Sequence, residues 1–129
     1  SIFKYIYYIN MNIQPAYQYT IKDIIRVIDG DTVDVSIDLG FNICIEKRVR
    51  LYGIDTPETR TRDLDEKVRG FAAKDRLQII INENIDNNIP IIIKCHGIGK
   101  FGRVLGELFY NNISINNQLV VEGFAEEYK

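Results

Sequence analysis

The segment Arg50-Leu-Tyr-Gly-Ile-Asp-Thr-Pro-Glu58 gathers an arginine, two carboxylates and a proline at the end of an apolar strand pattern. Thr56 precedes Pro57 and is pushed to an extended conformation, which fixes the direction of its carbonyl. Asp55 and Glu58 then stand three residues apart on a turn stiffened by Pro57. Two carboxylates held close can divide the work: one holds a hard cation, the other takes a proton from water. Two further strings carry unusual polar placement, Asp29-Gly-Asp-Thr32 and Lys100-Phe-Gly-Arg103. Asp29-Gly30 is a hairpin-turn signal. A hairpin needs only one aspartate, so Asp31 is left over for other work. Hydrolysis of a phosphodiester uses this set of parts. Its transition state gathers negative charge on five-coordinate phosphorus, which guanidinium groups and a divalent cation neutralise. Arginine suits the task because its fork grips two phosphate oxygens, and Glu58 is available as the base for the attacking water.

Plainer readings stand beside these. Arg50 could serve a structural ion pair, and Arg103 could be a solvated turn residue. Lys47, Arg48, Arg60, Arg62, Lys67, Arg69, Lys74 and Arg76 read as solvated faces, with the Arg60–Arg62 loop as a place where substrate backbone could touch. His96 stands in a glycine-rich turn without a second histidine or cysteine at ligand spacing, and is expected to be exposed and idle.

The elements that must position these residues follow from periodicity. Tyr19–Ile28 and Thr32–Ile37 read as strands joined by the Asp29-Gly30 hairpin. A turn at Asp38-Leu-Gly40 leads to a third strand, Asn42–Ile54. Arg50 and Asp55 are five apart, so unbroken alternation would send them to opposite faces; Gly53 is the expected place for a bend that restores convergence. Asp63 and Glu66 have capping-box spacing. Leu64, Val68, Phe71, Ala72 and Ile79 recur at helical spacing, predicting an amphipathic helix over Leu64–Ile81. Gly70 inside it costs roughly 1 kcal/mol against alanine and points to a close approach. Asn82–Asn88 reads as a polar loop, Pro90–Cys95 and Val104–Tyr110 as strands around the turn His96–Gly102, and Ile115–Glu122 as a short helix closed by Gly123. Five strands with a helix between the third and fourth predict a mainly β (α+β) fold, a five-stranded Greek-key barrel of oligonucleotide-binding type with two or three helices.

The chain has 129 residues, enough for one compact domain. Residues 1–17 read as an N-terminal extension and residues 18–129 as the domain. With 46% hydrophobic and 26% charged residues, neither disorder nor a fibrous repeat fits. No apolar stretch approaches the ~18–20 residues of a helical membrane span, so no membrane is expected among the partners. A net charge of −2 argues against a non-specific nucleic-acid coat protein and leaves room for a local basic cleft. Cys44 and Cys95 lie in apolar runs and are expected to be free, buried thiols. Residues 2–9 alternate like a strand. They are expected either to dock on the barrel, to pair with a second copy, or to form a tail ahead of Met11. A monomer is expected, with a dimer through this segment as the alternative. The cytoplasm of a bacterial or phage-infected cell is the expected location, with secretion as the alternative.

Val27-Ile-Asp-Gly-Asp-Thr-Val33, Arg50 with Asp55-Thr-Pro-Glu58, and Lys100-Phe-Gly-Arg103 together resemble the three signatures of staphylococcal-nuclease-like (thermonuclease) domains, in order and with family-like spacing over roughly Tyr19–Ala125. The resemblance implies that Asp31, Asp55 and the Thr56 carbonyl bind one calcium ion. It implies that Arg50 and Arg103 hold the scissile phosphate and that Glu58 activates water. Lys100 and Phe101 fall at substrate-binding positions, Lys100 near the nucleotide's terminal phosphate. The implied activity is endonucleolytic cleavage of DNA and/or RNA with little sequence preference, leaving 3′-phosphates. Phe101 departs from the pattern, standing where the best-known member has a tyrosine, so one phosphate hydrogen bond is expected to be missing. The further C-terminal helix of that member has no counterpart before Lys129. The rival reading is a silent nucleic-acid-binding or scaffold module on the same barrel; retention of Asp31, Arg50, Asp55, Glu58 and Arg103 favours the enzyme. A pure single-strand binder would want more aromatic platforms than Tyr52 and Phe101 supply.

Overall fold

A computed structural model of the chain describes residues 17–128. The expected strand at residues 2–9, with any association through it, lies outside them. The first elements are β1 (Tyr17–Asp29), β2 (Thr32–Asp38), β3 (Cys44–Leu51), a two-residue β4 (Ile54–Asp55) and helix α1 (Leu64–Asp86). After them come β5 (Ile92–Ile98), a 3₁₀ turn (Lys100–Gly102), β6 (Val104–Tyr110), β7 (Ile113–Ser114), helix α2 (Ile115–Val121) and β8 (Glu126–Glu127).

The long strands close on themselves. Neighbours run β3-β2-β1-β5-β6, all antiparallel, and β6 returns to β3 as a parallel pair through Val49–Val104, Arg50–Leu105 and Leu51–Gly106. The result is the five-stranded barrel with two helices that the element order predicts. Val33, Val35, Val49, Leu51, Ile93 and Leu108 fill it, and Leu77, Ile80, Ile81, Ile115 and Leu119 of the helices continue the same core. Alternating buried and half-buried residues along β2 are what one packed face and one wetter face produce.

Several expectations are corrected. The predicted third strand, Asn42–Ile54, is broken: β3 ends at Leu51, and Tyr52-Gly53 turns the chain into β4. Helix α1 passes through the predicted polar loop 82–88 as far as Asp86, because Asn84 is buried and its Nδ2 donates to the Ile80 carbonyl at 2.8 Å. The buried stripe of α1 is Gly70, Ala73, Leu77, Ile80, Ile81 and Asn84, whereas Leu64, Val68, Phe71, Ala72 and Ile79 face water. The small residues Gly70 and Ala73 take the first part of the inner face because α1 there lies close against the turns that carry the site. Asp63 caps α1 by accepting from the Asp65 and Glu66 N–H groups, but Glu66 does not reach back to Asp63 and instead faces Glu58. Strand β5 runs on through His96 to Ile98, into the predicted turn. Cys44 is exposed and Cys95 half-buried; both are free thiols, but neither is buried as expected.

Candidate active site

Pairing of Thr32 with Arg50 sets the arginine beside the β1–β2 turn, and the Leu51 N–H donates to the Asp31 carbonyl at 2.8 Å. Gly53 then takes φ +78°, where an L side chain is strained. This turn swings Asp55 back to Arg50, as the spacing required. Arg50 Nη1 donates to the carbonyls of Leu51 (3.0 Å) and Ile54 (2.8 Å), locking the guanidinium under the turn. Its Nη2 lies 3.3 Å from Asp31 Oδ2 and 3.2 Å from Asp55 Oδ1. One guanidinium therefore joins two carboxylates from two separate turns, with its side chain only 19% exposed.

Asp31 is buried. Its Oδ2 accepts from the Thr56 N–H at 3.1 Å and its Oδ1 from the Thr32 hydroxyl at 3.0 Å. Desolvation and the adjacent Asp31 carboxylate raise the Asp55 carboxyl above the ordinary range, against the pull of Arg50. Two carboxylates thus share the single guanidinium of Arg50. Thr56 is itself buried, and its hydroxyl oxygen has no hydrogen-bond partner. Asp31, Asp55 and Thr56 thus supply an all-oxygen donor set, which fits a hard divalent cation. Among the described residues no third carboxylate, histidine or cysteine joins them in a ligand group, so water or phosphate would complete the shell.

Glu58 follows on the Pro57 turn, its N–H 3.5 Å from Glu66 Oε1. Desolvation, then the charges of Asp29, Asp31 and Asp55, raise its carboxyl above the usual range. That suits a group meant to take up a proton. The neighbouring Thr59 hydroxyl donates to Asp29, tying the turn to the end of β1.

Lys100 and Phe101 sit on the 3₁₀ turn between β5 and β6, and Arg103 follows it directly. Arg103 Nε donates to the Lys100 carbonyl at 3.3 Å. Arg50, Lys100 and Arg103 line one cavity of about 590 Å³ with Tyr52 and Tyr128. Phe101 lines a different groove, which Arg103 also borders. The structure thus gathers Asp31, Arg50, Asp55 and Thr56 into one cluster and brings Lys100 and Arg103 to a cavity shared with Arg50; it separates Phe101 from that cavity.

Three positioning features escaped sequence reading. Asn116 of α2, 2% exposed, donates to the carbonyls of Tyr52 (2.9 Å) and Gly106 (3.1 Å) and accepts from the Leu108 N–H. It holds the Tyr52-Gly53 turn against β6. Strand β8 pairs with β4, Asp55 opposite Glu126, and Glu126 adds to the charge raising Asp55. His96 is exposed, as expected, but it has local contacts: it stacks on Tyr52 with centroids 4.2 Å apart and its Nε2 lies 3.3 Å from Glu107.

An uncharacterized protein of Methanocaldococcus jannaschii is 29% identical over 130 aligned residues, covering 81% of this chain and 58% of that protein. The chain therefore spans less than two thirds of that relative's length. The model of the family described as staphylococcal nuclease homologue matches residues 48–129, which include Arg50, Asp55, Thr56, Glu58, Lys100 and Arg103, with Asp31 upstream of the match. Covering well over half of the sequence, that match places the chain in the staphylococcal nuclease homologue family, a family of nuclease type.

Proposed function

We propose that the chain is a calcium-dependent endonuclease that hydrolyses phosphodiester bonds of DNA and/or RNA with little sequence preference and leaves 3′-phosphate ends. The observation that carries this reading is the guanidinium of Arg50, fixed by two carbonyls and joined at 3.2–3.3 Å to both Asp31 and Asp55. A structural ion pair needs one carboxylate; two on one guanidinium leave one negative charge over, next to Thr56, whose N–H donates to Asp31.

In this reading Asp31, Asp55 and the Thr56 carbonyl hold the calcium ion. Bound there, the ion supplies Lewis-acid neutralisation of the phosphate. Arg50 and Arg103 grip the non-bridging phosphate oxygens and stabilise the charge of the five-coordinate transition state. Glu58 takes a proton from water as the water oxygen bonds to phosphorus. The bond to the 5′ oxygen breaks, that oxygen takes a proton from solvent water and leaves as a 5′-hydroxyl, and the phosphate stays on the 3′ side. Lys100 adds positive charge to the nucleotide cavity.

The test incubates single- and double-stranded DNA and RNA with the protein in calcium, magnesium or chelator, and analyses the new ends. Cleavage in calcium, loss in chelator and 3′-phosphate ends are expected. Undiminished cleavage in excess chelator would refute the calcium assignment. Binding without cleavage under every condition would favour a silent module.

A further inference from the structure

Arg103 borders two cavities. One holds Arg50 and Lys100. The other is a groove of about 830 Å³ into which five separate stretches of chain converge. Arg26 comes from β1, Arg48 from β3, Arg60 from the loop before α1, Lys74 from α1, and Phe101 with Arg103 from the 3₁₀ turn and the residue after it. The nearby carboxylates are Asp29 in the groove and Asp34, which Arg26 and Arg48 share at 3.2 and 2.8 Å. Five cations line the groove against one lining carboxylate, Asp29, in a chain whose net charge is −2. Arg60, Lys74 and Arg103 form no ion pair with any described residue; the Lys74 ammonium lies 5.9 Å over the Phe71 ring, a contact that leaves its charge uncompensated. Internal pairing therefore does not account for the concentration.

Phe101 adds a second, independent sign. It is 94% exposed and held at φ +60°, a backbone region unfavourable to a phenylalanine. An apolar ring is thus held out in water at the wall of a basic groove. Cationic walls with an exposed ring are the pattern that binds single-stranded nucleic acid: cations follow the phosphates and a base stacks on the ring.

We propose that this groove is a second polynucleotide subsite, for the single strand that continues past the scissile linkage. Its free cations bind successive phosphates and Phe101 stacks on an unpaired base. The assignment rests on the phosphodiesterase reading and extends it: Arg103, common to both cavities, marks where the strand passes from one to the other. A bond inside a chain is then held from both sides.

Fluorescence anisotropy of a labelled oligothymidylate tests this in chelator, where nothing is cut, so the result does not depend on turnover. With a strand of about 20 nucleotides, log affinity should fall with log salt by roughly 0.7 for each phosphate neutralised. The double variant Arg60→Gln/Lys74→Gln should bind at least about 10-fold more weakly at low salt, with a slope shallower by roughly 1.4. Phe101→Ala should weaken binding about 5- to 100-fold and leave the slope unchanged. Asp34→Asn, which releases Arg26 and Arg48 from their shared carboxylate, should tighten binding and steepen the slope. Circular-dichroism melts confirm that each variant is folded. An unchanged slope in the folded double variant would overturn the groove. So would tighter binding of a duplex of the same length, with equal loss on Phe101→Ala, because a paired base cannot stack on that ring. Binding as expected without cleavage in calcium would sink the nuclease reading alone.

Discussion

Gly70 and Glu58 meet where α1 crosses the turn after β4. A Cβ on Gly70 would lie 2.5 Å from the Glu58 carbonyl oxygen and 2.8 Å from that of Pro57. No side chain fits there, so helix α1 rests directly on the backbone that carries the proposed general base. The glycine weakens the helix by about 1 kcal/mol relative to alanine, and in exchange the turn is fixed at close range. Gly70→Ala must push the Pro57–Glu58 backbone away. The expected result is a helical, folded protein less stable by about 1–3 kcal/mol. Turnover should fall by 10-fold or more, since a shift of about 1 Å at a reacting group can cost about 10²-fold. Urea melts and cleavage rates on one DNA substrate check both; an unchanged rate would show that Glu58 is not positioned by this contact.

The roles of the charged residues separate by substitution. Glu58→Gln keeps size and loses the proton acceptor, so cleavage should drop by roughly 10²–10⁴ while metal binding stays. Arg103→Ala removes a proposed phosphate donor that has no carboxylate partner among the described residues, and should cost about 10²–10³ in rate at little cost in stability. Arg50→Ala should lose at least as much rate and also stability, because the Leu51 and Ile54 carbonyls lose their donor. Wild-type rates in any two of these variants would refute the proposed centre.

Calcium should bind weakly without substrate. Two carboxylates and a carbonyl leave several positions to water, which places the dissociation constant in the range of about 10⁻⁴–10⁻³ M. A nucleotide phosphate in the adjoining cavity should tighten it. Calorimetric titration of wild type and Asp31→Asn measures this; equal affinity in the two would remove Asp31 from the ligand set.

Much of this site was legible because its chemistry is local. Asp29-Gly30 announces a hairpin, and Gly53 announces the bend that turns Asp55 toward Arg50. The inner face of α1 was not legible in the same way. Periodicity weighs large apolar side chains, so Leu64, Val68, Phe71 and Ile79 suggested the buried stripe. Contact with the site's turns instead demands small residues, and Gly70 and Ala73 supply them. Asn84 and Asn116 were invisible for a related reason: asparagine signals loops by composition, while here its amide satisfies buried backbone. Strand β8 is two glutamates long and has no apolar signature; only its pairing with β4 defines it. The basic groove draws on residues far apart in sequence, each of which reads singly as a solvated face.

Asn116 should prove a keystone of stability. Its amide satisfies two buried carbonyls and one N–H across three elements. Asn116→Ala takes the side-chain partner from the Tyr52 carbonyl and the Leu108 N–H, while the Gly106 carbonyl keeps the Tyr52 N–H at 2.8 Å; the cost is about 1–3 kcal/mol for each group that water cannot reach. A loss of about 2 kcal/mol or more in urea unfolding is expected, and the Tyr52-Gly53 turn should loosen with it. A loss below about 1 kcal/mol would mean that water replaces the amide.

Asp34 gives the fold a defined acid dependence. The hydrogen bond from Arg48 holds its carboxyl below the ordinary value near 3.8; desolvation opposes this in part, and Arg26 assists. A carboxylate whose folded pKa is depressed contributes stability that is fully present above its unfolded value. That contribution is lost as pH falls through the folded value. Arg48 is 46% exposed and Arg26 66% exposed, so solvent screens both pairs and the whole contribution is on the order of 1 kcal/mol. Asp34→Asn should therefore melt a few degrees below wild type at neutral pH. The gap should hold constant down to about pH 5 and close below about pH 4. Near 1 M salt it should shrink at neutral pH as well, because the Debye length falls to about 3 Å. Thermal melts of both proteins from neutral pH to about pH 3 decide the matter: a gap that persists unchanged at the acid end would show that Asp34 acts through packing or neutral hydrogen bonding, not through its charge.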